Sequence, residues 1–246
     1  MFFIYKGVKI NYTVKGEGCN ILFLHGWGGS TQSFAAFENC LKGYRCINID
    51  FPPFAKSGKL TEPWTVEAYS GMVLALLKKL QVSKVFVVAH SFGARVAIML
   101  CRIPNLAQKL VLTGAAGLMP KKSIKKRLSI MRYKLSKHFV KIKLMNQKRL
   151  SKFGSSDYQN ADVITKQTII NIVNFDQSKM LSNIAAPTLL IWGKNDKDTP
   201  MYMARKFNRL IKDSALITLP GDHFAYIQNF NQVFAIIENF FADTYK

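Results

Sequence analysis

The chain has 246 residues, of which 49% are hydrophobic, so it is long enough for one large domain with a sizeable core. No apolar run reaches the roughly eighteen residues that span a bilayer, and the first residues lack the layout of a signal peptide, which predicts a cytoplasmic protein. The four cysteines show neither C-x-x-C spacing nor a dense pattern, so we expect free thiols and no metal site.

The charge of the chain is strongly basic and unevenly distributed. The net charge is +21, and there is no acidic residue between Glu67 and Asp157. The positive electrostatic field of such a chain attracts anionic substrates, acidic membrane surfaces or nucleic acid. A solvated lysine-rich face explains the same charge equally well. Since no nucleic-acid motif accompanies the charge, we expect no nucleic-acid partner.

Short apolar runs alternate with helical patterns along residues 1–117. A hairpin is predicted at the start, where two alternating runs flank Lys6 and Gly7. Further strands are predicted at 20–24, 44–49, 84–88 and 109–113, and helices at 31–41, 65–80 and 95–101. This alternation predicts an α/β fold with a mostly parallel, doubly wound sheet that is covered on both faces.

Residues 89–94, Ala-His-Ser-Phe-Gly-Ala, form the most informative stretch of the chain. Ser91 follows a predicted strand and precedes a predicted helix, so it lies on a sharp turn that crowds its neighbours. Ala89 and Gly93, two positions before and after it, carry almost no side chain and therefore fit such a turn. The alternative is a serine that caps an ordinary helix.

Two stretches resemble the α/β-hydrolase fold family. Residues 89–94 match its nucleophile elbow, G-x-S-x-G, except that Ala89 replaces the first glycine. The glycine-rich loop 25–30, which follows an earlier strand, is similar to the family's His-Gly-x segment. The resemblance implies that the backbone N–H groups of Trp27 and Phe92 form an oxyanion hole, and we expect His25 to brace the loop.

Residues 118–184 interrupt the alternation of strands and helices and predict a helical lid. The core domain would then comprise 1–117 and 185–246. The first half of the lid, 121–152, carries thirteen Lys or Arg residues, no acid, and apolar residues at helical spacing, which predicts a packing face over the active site. The same pattern is also typical of an interfacial helix, so contact with a membrane surface stays open.

The core resumes after the lid, with strands predicted at 188–192 and 215–219 and helices at 202–211 and 232–241. Residues 192–200 resemble the family pattern W-G-x-x-D-x-x-x-P, which implies that Asp196 is the acid of a catalytic triad. Asp198 is its close competitor. His223 follows the last predicted strand, where the family has its catalytic histidine, and the order nucleophile, acid, base is that of the family.

The resemblance implies a serine hydrolase that uses Ser91, Asp196 and His223 to cleave a carboxylic ester through an acyl-enzyme, without a cofactor. Thioester, lipid-ester, amide and C–C bond hydrolysis on the same triad stay open, and so does a non-catalytic homologue that binds a small ligand under the lid. The expected partner is a small ester or acyl substrate. The sequence does not indicate an oligomeric state.

Overall fold

The computed structural model describes residues 1–120 and 156–242. Within these ranges the strands are β1 (Phe2–Tyr5), β2 (Val8–Lys15), β3 (Cys19–Leu24), β4 (Tyr44–Ile49), β5 (Val85–His90), β6 (Ala107–Thr113), β7 (Thr188–Gly193) and β8 (Ser214–Leu219). They form one eight-stranded sheet in the order β1-β2-β4-β3-β5-β6-β7-β8. The pairs β1–β2 and β2–β4 are antiparallel, and all pairs among β3 to β8 are parallel. The prediction of a mostly parallel sheet is confirmed.

The helices lie between the strands, as the alternation predicts. In the described part they are α1 (Ala35–Cys40), α2 (Val66–Lys79), α3 (Phe92–Leu100), α4 (Ser156–Asn160), α5 (Val163–Val173), α6 (Met201–Leu210), α7 (Ala225–Gln228) and α8 (Phe230–Ala242), with 3-10 helices at Thr31–Phe34 and Ser178–Asn183. The helix predicted at 31–41 is therefore a 3-10 turn followed by a short α-helix. Helix α3 begins three residues earlier than predicted, because the chain turns directly from β5 into it.

Two apolar layers sandwich the sheet. Leu22 and Leu24 of β3 pack into one core cluster with residues of α2, α3 and α6, whereas Ile21 and Phe23 pack into a second cluster with residues of α1 and α8. All six residues of β5 are buried, as expected of a parallel strand covered on both faces. This packing fixes the carboxyl ends of the central strands at one rim of the sheet.

The predicted lid, 118–184, is described in part. Residues 121–155, which include the whole basic stretch 121–152, lie outside the described residues. The described remainder contains α4, α5 and a 3-10 helix. The Gln177 N–H donates a hydrogen bond of 2.8 Å to the Gly117 carbonyl, so the chain returns close to the point where it left the sheet. This return is consistent with an insertion, and the exact division into core and lid stays a prediction.

No helix within 1–120 and 156–242 is both long and apolar enough to cross a membrane.

Candidate active site

The site lies where three parallel strands end. Ser91 directly follows β5, Asp196 follows β7, and His223 follows β8. Because the carboxyl ends of parallel strands meet at one rim, residues far apart in the sequence converge there.

The turn at Ser91 is strained and tightly held. Ser91 has φ 49° and ψ −110°, a left-handed conformation that non-glycine residues rarely adopt. Its N–H donates to the Thr113 carbonyl of β6 at 3.0 Å, and its own carbonyl accepts from Ala94 and Ala116 at 3.1 Å. A side chain at Gly93 would collide with the Leu24 carbonyl, which explains the glycine there. The turn therefore holds the Ser91 hydroxyl at the rim.

The three side chains predicted to form the triad are joined by hydrogen bonds. The Ser91 hydroxyl lies 2.9 Å from His223 Nε2, and His223 Nδ1 lies 2.8 Å from Asp196 Oδ2. With an ionised Asp196, His223 Nδ1 keeps its proton and donates a hydrogen bond to the carboxylate. His223 Nε2 is then free to accept the hydroxyl hydrogen of Ser91. This is the geometry that a serine nucleophile and its general base require.

Asp196, and not its competitor Asp198, forms the hydrogen bond with His223. The Asp196 side chain is fully buried, whereas Asp198 is exposed. The N–H groups of Asp198 and Thr199 donate to Asp196 Oδ1 at 2.9 and 2.8 Å, and the Thr199 hydroxyl donates to Oδ2 at 2.8 Å. Each carboxylate oxygen of Asp196 thus accepts two hydrogen bonds when the one from His223 is included.

The environment of Asp196 keeps its carboxylate ionised. Burial by itself raises the pKa of this carboxyl, but the hydrogen bonds from His223 and Thr199 and the attraction to His223 outweigh that effect, and the net pKa is lowered. A negative charge facing Nδ1 stabilises an imidazolium at His223.

The loops that carry Asp196 and His223 are bound to each other. The Asn195 N–H donates to the Gly221 carbonyl, and the Lys194 N–H donates to the Leu219 carbonyl, both at 2.9 Å. The acid loop is also anchored to β7, because Trp192 Nε1 donates to the Thr199 carbonyl at 2.6 Å. These bonds fix the position of the carboxylate relative to the imidazole.

The predicted oxyanion donors, Trp27 and Phe92, contact each other beside the cavity that contains Ser91. Phe92 is the first residue of α3, so its N–H has no acceptor within the helix. Trp27 follows β3 in the glycine-rich loop, and its ring contacts the Phe92 ring at 5.4 Å between centroids. Both residues line the cavity that contains Ser91. The Phe92 N–H is thus available for a substrate oxygen, and the role of both N–H groups as donors stays a prediction.

Two buried histidines support the rim. His25 Nδ1 donates to the Gly26 carbonyl at 2.6 Å and its Nε2 accepts from the Phe51 N–H at 2.8 Å, so a neutral His25 braces the glycine-rich loop. His90 Nδ1 lies 3.0 Å from the Thr113 carbonyl, and its ring packs against that of His223 at 4.7 Å. Burial lowers the pKa of His25 to about 4 and that of His90 to about 3.

These lowered pKa values predict a loss of stability in mild acid. The unfolded chain binds protons at both histidines near the ordinary pKa of 6.5, before the folded protein does, so stability falls as the pH drops below that value. Each histidine should lower the free energy of unfolding by on the order of 2 kcal/mol between about pH 7 and about pH 5. Urea unfolding at both pH values measures this loss, and equal free energies would contradict it.

A cavity of about 320 Å³ opens beside the Ser91 hydroxyl. Its apolar wall in the described part of the chain consists of Trp27, Phe92, Ala116, Ile169, Ile172 and Val173. Two acidic residues, Asp157 and Asp198, also line it. Helix α5 therefore supplies part of the wall of this cavity.

Asp196, Asp198 and His223 also offer metal-ligand atoms that lie within 4.8 Å of one another. Two of the three are already bound to each other, since His223 Nδ1 donates to Asp196. This hydrogen bond accounts for the closeness of the Asp196 and His223 side chains.

Several residues of the site carry no recognisable signal in the sequence. No motif of the sequence predicts that Thr199 bonds to Asp196, although the Thr-Pro that ends the acid loop is a turn signal. His90 belongs to the elbow stretch, but only the fold shows that its ring lies against His223. Asp157 and α5 line the cavity because of the way the segment between β6 and β7 packs on the core, and no local pattern predicts that packing.

The comparisons with known proteins agree with this fold. Residues 20–140 match the family described as alpha/beta hydrolase fold. A curated relative, the 2-hydroxy-6-oxo-6-(2'-aminophenyl)hexa-2,4-dienoic acid hydrolase of Metapseudomonas resinovorans, is 27% identical over 244 residues, which cover 91% of this chain and 84% of that protein.

Solved structures of the same fold superpose over nearly the whole chain. MGS-M2, an alpha/beta hydrolase enzyme from a deep-sea metagenome library, matches with a TM-score of 0.77 at 19% identity, covering 98% of this chain and 97% of that one. An esterase from Exiguobacterium antarcticum matches with a TM-score of 0.75 at 20% identity, covering 95% and 96%. The chain has the α/β-hydrolase fold.

Proposed function

We propose that this protein is a serine hydrolase that cleaves a carboxylic ester through an acyl-enzyme on Ser91. The observation that carries the proposal is the position of His223. Its Nε2 lies 2.9 Å from the Ser91 hydroxyl, and its Nδ1 lies 2.8 Å from the Asp196 carboxylate. A serine hydroxyl is a weak nucleophile at neutral pH and needs such a base within hydrogen-bond reach.

In the first half of the proposed reaction, His223 Nε2 takes the hydroxyl proton while Ser91 Oγ attacks the carbonyl carbon of the ester. The imidazolium that forms is stabilised by the charge of Asp196. It then gives its proton to the leaving alcohol as the ester C–O bond breaks. The product of this half is an ester between the acyl group and Ser91.

In the second half, water enters the position of the alcohol. His223 Nε2 takes a proton from this water, whose oxygen attacks the acyl carbon, and returns the proton to Ser91 Oγ when the acid leaves. In both halves, the carbonyl oxygen becomes negative and would accept hydrogen bonds from the N–H groups of Trp27 and Phe92. Loss of one such donor costs about 3 kcal/mol of transition-state stabilisation.

C–C bond hydrolysis is the second candidate, because the relative from Metapseudomonas resinovorans is named as a hydrolase of a dienoic acid. The same triad is compatible with that chemistry. The cavity favours the ester instead, since two carboxylates, Asp157 and Asp198, line it and would repel the carboxylate of such a substrate.

The proposal is tested by the kinetics of the wild-type protein with two compounds, p-nitrophenyl butyrate and 2-hydroxy-6-oxo-6-(2'-aminophenyl)hexa-2,4-dienoate. We expect kcat/KM for the ester to exceed that for the dienoate, because the two carboxylates repel the carboxylate of the dienoate. Faster cleavage of the dienoate would favour the C–C hydrolase. Tight binding without turnover of either compound would favour a non-catalytic binding protein.

A further inference from the structure

The cavity beside Ser91 is acidic in a chain that is strongly basic. The net charge of the protein is +21, yet the ionised side chains that line the cavity in the described ranges are the carboxylates of Asp157 and Asp198. No Lys or Arg of 1–120 or 156–242 lines it. The charge of the described part of the lining is thus opposite in sign to that of the whole molecule.

The two carboxylates come from different parts of the chain. Asp198 lies in the loop after β7, and its carboxylate is within 4.8 Å of the ligand atoms of Asp196 and His223. Asp157 lies in α4, on the segment between β6 and β7 that also carries the apolar wall of α5. A molecule bound at Ser91 would therefore meet negative charge both near the His223 imidazole and near α4.

Neither carboxylate is neutralised within the described residues. Both are exposed to water, and the ion pairs found there involve other acids: Glu38, Glu62 and Asp196. The neighbouring wall is apolar, with Trp27, Ile169 and Ile172. Because both carboxylates are exposed to water, they act on a charged molecule in the cavity with the strength of charges in a water-like medium.

We propose that Asp157 and Asp198 determine the charge specificity of the site, so that it accepts acyl compounds whose acyl end is neutral or positively charged and discriminates against those that carry a carboxylate. This inference rests on the proposed esterase function and narrows its substrate class. Coulomb repulsion between two unit charges about 6 Å apart in a water-like medium corresponds to about a threefold change in kcat/KM for each carboxylate.

The test uses three aryl esters with acyl chains of the same length: p-nitrophenyl butyrate, p-nitrophenyl hydrogen succinate and p-nitrophenyl 4-(trimethylammonio)butyrate. We expect wild-type kcat/KM to be lowest for the succinate ester. In the Asp157→Asn and Asp198→Asn variants, the ratio of succinate to butyrate kcat/KM should rise about threefold each, and about tenfold in the double variant. In the same variants, the ratio of kcat/KM for the cationic ester to that for the butyrate should fall by the same factors.

Two controls separate a local effect from a change in overall charge. Asp213→Asn removes the same charge at the opposite end of the sheet, where the Asp213 carbonyl accepts from the Thr188 N–H at the start of β7, and it should leave the ratios unchanged. Raising NaCl from about 20 mM to about 500 mM should shrink the differences among the esters in the wild type. Thermal unfolding verifies that each variant is folded.

Active wild-type protein whose ester ratios do not change in the double variant would overturn the charge inference and leave the proposed esterase intact. A wild-type preference for the succinate ester would do the same. No hydrolysis of any ester, together with no labelling of Ser91 by an uncharged fluorophosphonate, would overturn both.

Discussion

Ser91→Ala is expected to lower kcat/KM for p-nitrophenyl butyrate by a factor on the order of 10⁴ or more, because it removes the atom that would form the acyl-enzyme. The remaining backbone donors and the cavity can still bind the ester, so a low residual rate is expected. The measurement is p-nitrophenolate release under steady-state conditions, with the variant prepared free of wild-type protein.

Ser182→Ala is the matched control for this variant. Ser182 is exposed in the 3-10 helix Ser178–Asn183, and its hydroxyl donates only a long bond of 3.4 Å to the Lys179 carbonyl. The Ser182→Ala variant should hydrolyse p-nitrophenyl butyrate at the wild-type rate. Equal rates for Ser91→Ala and the wild type would remove Ser91 from the mechanism.

The second large effect is expected at Asp196. In Asp196→Asn, the side-chain amide no longer offers a charged acceptor to His223 Nδ1, and the imidazole is free to carry its proton on Nε2 instead. A protonated Nε2 cannot accept the Ser91 proton, so kcat should fall by a factor of about 10⁴. Steady-state hydrolysis of p-nitrophenyl butyrate measures this loss.

Asp198→Asn distinguishes the two acids of the loop. Asp198 is exposed, and it is its backbone N–H, not its carboxylate, that bonds to Asp196. We expect its kcat for the butyrate ester to fall by less than about tenfold, since substitution at the side chain retains that N–H. A larger loss in Asp198→Asn than in Asp196→Asn would reverse the assignment of the acid.

Local patterns in the sequence are sufficient to predict most strands of the sheet. Strand β4 has the predicted bounds, 44–49, because its run between turn residues is too short for a typical helix and is rich in aromatic and β-branched residues, which favours a strand. The turn at Ser91 is equally local: the strained backbone there needs small neighbours, and Ala89 and Gly93 are visible in the sequence.

The convergence of the site depends on the topology of the sheet. Nothing near His223 in the sequence indicates Ser91, and the two were associated through the family resemblance and the rule that parallel strands end at one rim. The choice between Asp196 and Asp198 rested on the offsets of Gly193 and Pro200, and the structure brings Asp196 against His223.

The chemistry of the cavity could not be predicted from the sequence. Asp157 and Ile172 come from a segment whose packing on the core is a long-range property, and helical periodicity does not reveal which face of α5 turns toward Ser91. A strongly basic composition even suggested an attraction for anions, whereas the described lining of the cavity is acidic.

The most direct measurement is covalent labelling with a small uncharged fluorophosphonate, followed by mass spectrometry of the intact protein and of its peptides. The proposed triad predicts one adduct per chain, on the peptide that contains Ser91, with labelling abolished in Ser91→Ala and greatly slowed in His223→Asn. A folded wild-type protein that forms no adduct, or one that forms it on another residue, would contradict the account.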